Sequence, residues 1–116
     1  MSRQQKWAES AYKDVMAVKK GERDAVKQDK YRSHALKFPS LLLQSGLVQA
    51  VTFVDSRDES GKLFIKNLAA TIERPGLLEE ARTTGLAQYV RLAADVLAAA
   101  SWYRRFAQSE LKGVSQ

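Results

Sequence analysis

An all-α fold, a compact single-domain bundle of about five to six helices, is predicted by this sequence. The 116 residues suffice to bury one hydrophobic core, so a single domain over residues 1–116 is expected. There are 16 Ala and 13 Leu against 9 Val, 2 Ile and 4 Thr, a balance that favours helix because β-branched side chains lose χ1 freedom there. No stretch alternates apolar and polar residues long enough to indicate a strand.

The first predicted helix begins after Ser2 and runs to about Lys20. Ser2 and Gln5 have the spacing of a capping box, in which each side chain bonds the other residue's backbone N–H. One side of this helix is apolar and carries Trp7, Ala8, Ala11, Val15 and Val18. Gly21 is expected to end the helix, and the charged residues 22–28 to form a mobile loop.

Two further helices are predicted on either side of a turn at Ser45 and Gly46. The second helix spans about residues 29–44, and Pro39 inside it should kink or split it. The third helix is short and very apolar and runs to about Asp55. Residues 56–61 are then expected to form a polar loop.

The C-terminal half completes the bundle with a fourth helix, a short fifth and a long sixth. The fourth carries Phe64, Leu68, Ala69 and Ile72 on one side. Pro75 suits the first turn of a short helix ending near Thr83, and Thr84 could cap the last helix, which reaches about Leu111. Residues 112–116 are expected to form a frayed tail.

The composition contains few of the residue types that serve in catalysis or metal binding. The chain has no Cys and one His, which excludes thiolate nucleophiles, disulfides and a two-histidine metal site within one chain. Asp55, Asp58 and Glu59 form the only acidic cluster that could hold a metal, at a position typical of a solvated loop. We therefore expect no enzyme activity, no catalytic residue, no metal and no cofactor.

Positive charge is concentrated in the N-terminal third of the chain. The formal net charge is +6, and residues 1–37 hold ten Lys or Arg but only five Asp or Glu. Lys6, Lys13 and Lys20 recur every seven residues on the first helix, and Lys30 and Lys37 repeat this spacing on the second. Each lysine alone fits a solvated face, but five so aligned favour a surface that faces a polyanion such as RNA.

A second basic group lies on the last helix. Arg91, Trp102 and Arg105 project to the same side, which suggests stacking of a base beside held phosphates. Burial is the favoured interpretation for Trp102, as a core or protein-interface residue with Arg104 and Arg105 as exposed neighbours.

A helix-turn-helix regulator of DNA is the principal rival among nucleic-acid binders. Residues 36–55 have the outline of that motif, but its second helix would offer only Gln49 and Thr52 as polar side chains to base edges. The remaining apolar residues, Leu47, Val48, Ala50, Val51, Phe53 and Val54, indicate a core helix. A homo-oligomerising helical module without nucleic acid is a further alternative.

The chain resembles a known family through a set of segments in a fixed order. These are Trp7-Ala8 with Ala11-Tyr12, Tyr31-Arg32-Ser33-His34-Ala35-Leu36-Lys37 leading into Pro39, Leu47-Val48-Gln49-Ala50, Phe53-Val54-Asp55-Ser56-Arg57, and Leu97-Ala98-Ala99-Ala100-Ser101-Trp102-Tyr103-Arg104-Arg105-Phe106-Ala107. Together they resemble the small subunit of the Cmr-type (type III-B) CRISPR RNA-guided effector complex, over nearly the full length.

That resemblance implies a cytoplasmic, non-catalytic subunit in antiviral defence that touches no membrane. Its partners would be other Cmr subunits, further copies of itself, and either the guide RNA–target RNA duplex or single-stranded target RNA. The candidate RNA or subunit contacts are Lys6, Lys13, Lys20, Lys30, Lys37, Arg57, Arg91, Arg104 and Arg105. Small subunits of other type III or type I CRISPR complexes are a near alternative.

Overall fold

Six α-helices make up the computed structural model, which describes residues 1–113. They are α1 (Arg3–Gly21), α2 (Ala25–Ser45), α3 (Leu47–Arg57), α4 (Glu59–Thr71), α5 (Leu77–Thr83) and α6 (Leu86–Glu110). No strand occurs between residues 1 and 113, so the predicted all-α single-domain bundle is confirmed. The predicted tail is non-helical at residues 112 and 113, and its last three residues lie outside the described part.

The core is centred on Phe64 of α4, whose side chain has no exposed surface. Its ring makes edge-to-face contacts with Tyr31, Phe38 and Tyr103, with centroids 5.8, 5.5 and 5.6 Å away. Edge-to-face pairs stabilise beyond their buried area because the positive edge of one ring meets the negative face of the other. Phe64 therefore ties α4 to both α2 and α6.

A network of polar side chains crosses this core, and its members are hydrogen-bonded to one another. The Tyr103 hydroxyl contacts the Asp14 carboxylate and lies 2.7 Å from the Thr71 hydroxyl, while Asn67 donates to Tyr31 over 2.8 Å. Burial raises the pKa of Asp14 although the bond to Tyr103 opposes the rise, and burial also raises the pKa of Tyr103. Such bonds keep polar groups from destabilising the interior.

The first helix has the predicted start. The Ser2 side chain accepts from the Gln5 backbone N–H and the Gln5 side chain accepts from the Ser2 backbone N–H, so the capping box is present. The predicted apolar side of α1 is buried at Trp7, Ala11 and Val15, among others.

The predicted loop over residues 22–28 is wrong in its second half, because α2 begins at Ala25. Asp24 is its N-cap and accepts from the backbone N–H groups of Val26 and Lys27. The Gln28 side-chain amide then donates to the Glu22 carbonyl at 3.3 Å. These bonds satisfy free backbone groups at both helix ends, so the chain between the helices shortens to three residues.

The predicted loop over residues 56–61 is also wrong. The third helix continues to Arg57, and Asp58 alone separates it from α4. The Asp58 side chain accepts from the Gly61 backbone N–H at 2.7 Å and so caps α4. Glycine is required at residue 61, because a Cβ there would lie 2.2 Å from the carbonyl oxygen of Val54.

The helix boundaries near the C-terminus also differ from expectation. Thr84 does not cap the last helix: its backbone N–H bonds the Glu80 carbonyl at 3.0 Å and closes α5, leaving Gly85 as the N-cap of α6. Pro75 precedes α5 rather than lying in its first turn, since that helix begins after Gly76. The other end of α6, at Glu110, lies one residue before the predicted Leu111.

Pro39 does not split α2, which is continuous from Ala25 to Ser45. A proline inside a helix removes one backbone donor and crowds the preceding turn, so carbonyls there lose their usual partners. The Leu36 carbonyl, three residues before Pro39, accepts a hydrogen bond from Nε of Arg104 at 3.3 Å. This bond joins the α2 backbone to α6 one residue after Ala35, whose carbonyl is the group that loses its helical donor to Pro39.

Candidate nucleic-acid interface

The nine candidate basic residues lie on three separate surfaces. Three of them form a lysine stripe on α1, three surround a groove between α2 and α3, and three lie on α6. In that order the sets are Lys6, Lys13 and Lys20; Lys30, Lys37 and Arg57; and Arg91, Arg104 and Arg105. We call them the α1 stripe, the α2–α3 groove and the α6 set.

The α1 stripe is exposed along its full length, as its spacing predicts. Lys13 forms an ion pair with Glu9 at 3.3 Å, which reduces the positive potential at the middle of the stripe. At 1.5 Å rise per residue, Lys6 and Lys20 are about 21 Å apart along the axis. The stripe offers separated charges on one helix surface.

The α2–α3 groove gathers its cations around a concave space of about 310 Å³. Lys30 and Lys37 stand on the α2 wall, and Arg57 stands on the α3 wall. The other lining residues are Ser33, His34, Phe38, Leu41, Phe53, Val54 and Asp58. Packing of α2 against α3 therefore brings together Lys30 and Arg57, which are 27 positions apart in the sequence.

The carboxylate of Asp58 inside the groove is held by neighbours. Nε2 of His34 lies 3.0 Å from one Asp58 oxygen, which also accepts from the Gly61 backbone N–H. Burial acts to raise the pKa of Asp58, but these two bonds and the charge of Lys30 hold the pKa below its usual value. The Asp58 carboxylate therefore faces the N-terminus of α4, where a negative charge is favourable. The three cations Lys30, Lys37 and Arg57 lie on the walls of the groove.

Phe53 lies on the rim of the groove with 54% of its surface exposed. Its ring is 6.0 Å from the guanidinium carbon of Arg57, one helical turn further along α3. The assignment of Phe53 to the core is therefore wrong, whereas Leu47, Val51 and others on the same helix are buried as predicted.

Sequence reasoning missed Ser33, His34, Phe53 and Asp58 as groove residues. The exposure of Phe53 could have been predicted from a helical wheel. At 100° per residue, Phe53 projects about 110° from the centre of the buried side of α3. No local pattern pairs His34 with Asp58, which lies 24 positions away.

The α6 set does not form one site. Arg91 donates to Gln88 at 3.0 Å and is about 16 Å along the helix axis from Trp102. Trp102 is half-buried: its Nε1 donates to Gln4, and its ring stacks on Phe106. The Arg105 guanidinium lies 5.1 Å from the Trp102 ring centroid. Trp102 thus packs between α1 and α6, and Arg105 covers it.

The acidic cluster at the α3–α4 junction is dispersed among different cations. Asp55 pairs with Lys62 at 3.5 Å, and Glu59 pairs with Lys27 at 3.6 Å. Within residues 1–113, no three His, Asp or Glu side chains are grouped so that they could hold a metal ion.

Among these same residues, no helix combines the length and apolarity that spanning a membrane requires.

Comparison with known proteins shows the family of this chain. Residues 3–110 match the family described as CRISPR-associated protein (Cas_Cmr5). The CRISPR system Cmr subunit Cmr5 of Thermus thermophilus is 45% identical over 112 residues, which cover 93% of this chain and 95% of that protein. The crystal structure of a CRISPR-associated Cmr5 family protein from the same organism superposes with a TM-score of 0.88 at 43% identity, covering 97% of this chain and 99% of that one. This chain belongs to the Cmr5 family of CRISPR-associated proteins.

Proposed function

We propose that this chain is a non-catalytic small subunit of a type III-B Cmr complex that lines the target-RNA path with its α2–α3 groove. It would act in the cytoplasm, in antiviral defence, beside other Cmr subunits and further copies of itself. The Cmr subunit relative supports the assembly. The observation that carries the RNA role is the convergence of Lys30, Lys37 and Arg57 on one concave surface.

Electrostatics favour a polyanion as the occupant of this groove. Three cations line it, while Asp58 is held by His34 and the start of α4. Cations that neutralise phosphates release condensed counterions, which supplies affinity without reading sequence. A subunit that contacts many different target RNAs needs this kind of binding, since base pairing with the guide can supply the specificity.

The non-catalytic part of the proposal rests on the side chains at the groove. Its histidine, His34, is hydrogen-bonded to Asp58, and that carboxylate also serves as a helix cap. Cleavage of RNA needs a base and an acid, or a metal, placed around the scissile phosphate. Apart from this hydrogen-bonded pair, the ionisable side chains of the groove are the cations Lys30, Lys37 and Arg57, which suit phosphate binding.

The isolated chain is expected to bind single-stranded RNA weakly, without sequence preference, and to leave it intact. One copy supplies a few phosphate contacts, which corresponds to a Kd of roughly 10⁻⁴–10⁻⁶ M at physiological salt. Fluorescence anisotropy with labelled RNAs of differing sequence measures the affinity. A denaturing gel of the same samples, with magnesium or manganese added, measures cleavage.

Two results would contradict this proposal. Tight, sequence-selective binding of duplex DNA would support the regulator interpretation instead. Cleavage that follows the protein through purification and disappears in Asp58→Asn would show catalysis. The relevant control is the same titration at raised salt, where electrostatic binding must weaken.

A further inference from the structure

We propose that the rim of the α2–α3 groove is a subsite for one unpaired nucleotide, whose base stacks on the Phe53 ring. The neighbouring phosphates would be held by Lys37 and Arg57. This inference rests on the proposed function and adds to it which form of nucleic acid the groove takes.

The exposure of Phe53 has no explanation in the packing of the chain. Its helix buries Leu47, Ala50, Val51 and Val54 on one side, and Phe53 projects away from that side with 54% of its surface accessible. The ring is therefore not needed to fill the core. The exposed part of the ring is therefore available to a ligand, and the charges around the groove indicate which kind of ligand.

Cations lie on both walls of the groove that Phe53 borders. Arg57 lies 6.0 Å from the centroid of the Phe53 ring, and Lys37 lines the same groove from the opposite wall. Single-stranded nucleic acids are bound by this combination, in which aromatic rings stack on bases while a positive groove follows the backbone. The guanidinium plane of Arg57 is itself suited to stacking and to bidentate phosphate contacts.

Charge separates this surface from the other exposed apolar residues of the chain. Leu43, Leu86 and Val90 are also exposed, with Leu86 at 81%, but they are aliphatic. Tyr12 is exposed at 42% and lies beside Lys13 and Lys20, but its ring already packs edge-to-face on Phe106 at 5.4 Å. Aliphatic side chains offer no stacking plane to a base. Phe53 combines a ring with adjacent cations, which favours nucleic acid over an apolar protein partner at this point.

An unpaired base fits the subsite better than a paired one. Within a helix both faces of a base are covered by its neighbours, so a protein ring can stack only on a base that is single-stranded or displaced. The ring is 54% exposed, so one base can reach it from solvent without entering the groove as far as His34 and Asp58. We therefore assign the subsite to unpaired RNA rather than to duplex.

A comparison of two ligands tests the assignment with the full-length chain. The ligands are a short single-stranded RNA and an abasic ribose-phosphate strand of equal length, which carries the same phosphates without bases. Wild type is expected to prefer the RNA on the order of five- to a hundredfold, because base–aromatic stacking contributes about 1–3 kcal/mol per base. Phe53→Leu should lose that preference, and Phe53→Tyr should retain it.

Matched variants separate stacking from charge and from folding. Lys37→Gln should weaken binding of both ligands by a similar factor, since both carry phosphates. Leu86→Ala, a change at an exposed residue outside the groove, should alter neither. Melting curves of all variants should coincide with that of wild type within a few degrees, because each substitution is on the surface.

The outcomes distinguish the Phe53 subsite from the proposed RNA-binding role of the groove as a whole. Loss of the preference for bases only in Phe53→Leu supports the subsite. Unchanged RNA affinity in Phe53→Leu, with weaker binding in Lys37→Gln, overturns the subsite but leaves the proposed function standing. Unchanged RNA affinity with failed incorporation of Phe53→Leu into the complex identifies Phe53 as a protein contact and also overturns it. Unchanged RNA affinity in both groove variants overturns the subsite together with the proposed role of the groove.

Discussion

Phe64→Ala is expected to lower the free energy of unfolding by about 3–5 kcal/mol, the cost typical of removing a buried phenylalanine. The side chain has no exposed surface and contacts three other aromatic rings from α2 and α6. Its removal leaves a cavity where α2, α4 and α6 meet, and the three surrounding rings lose their shared partner. Since small domains are stable by about 5–15 kcal/mol, the variant should be close to unfolding at physiological temperature.

Urea denaturation followed by circular dichroism measures this loss. Phe53→Ala is the matched control, because it removes the same side chain from a helix surface where 54% of it is exposed. That variant should lose less than about 1 kcal/mol. A loss below about 1 kcal/mol in Phe64→Ala, or equal losses in the two variants, would show that the described core is not the core in solution.

Charge reversal in the groove, by Lys30→Glu, Lys37→Glu and Arg57→Glu together, should weaken target-RNA capture by the rebuilt Cmr complex. We expect a loss of about tenfold or more at low salt, and a slope of log affinity against log salt that is shallower by about 2 to 3. Three phosphate contacts are lost, and three repulsive charges replace them. The three residues are exposed, so the loss of stability should be small, although Lys30→Glu removes a charge that favours the Asp58 carboxylate. A melting curve of the variant measures that loss.

The same change in net charge elsewhere provides the control for this variant. Arg23, Lys66 and Lys112 are exposed cations outside the three candidate surfaces, and their reversal to Glu should leave the salt slope unchanged. Reversal of the α1 stripe should have a smaller effect than reversal of the groove, because Lys13 is already paired with Glu9. Equal RNA capture by the groove variant and wild type at every salt concentration would contradict the role of the groove.

The helices themselves were predictable because their signals are local. The capping box at Ser2 and Gln5 and the periodic apolar residues of α1 depend on positions a few residues apart, and both were predicted correctly. The caps at Asp24 and Asp58 were missed, because a polar, charged stretch indicates a loop equally well until the cap geometry is known. Helix existence was therefore predictable, and several boundaries were not.

The groove depends on contacts that no local pattern records. Gly61 lets α4 approach the end of α3, and the bond between His34 and Asp58 then fixes α2 beside that junction. Only this packing places Lys37 opposite Arg57. The individual basic residues were visible in the sequence, but their division among three surfaces and the exposure of Phe53 follow from tertiary structure.

Photocrosslinking inside the assembled complex tests most directly whether the α2–α3 groove contacts target RNA. The complex is rebuilt with this chain and given a target RNA that carries 4-thiouridine, and crosslinked peptides are mapped by mass spectrometry after irradiation. We predict crosslinks within residues 30–41 or 53–57 of this chain, and their loss in the groove charge-reversal variant. Crosslinks found only on other subunits, or only on surfaces of this chain away from the groove, would contradict the account.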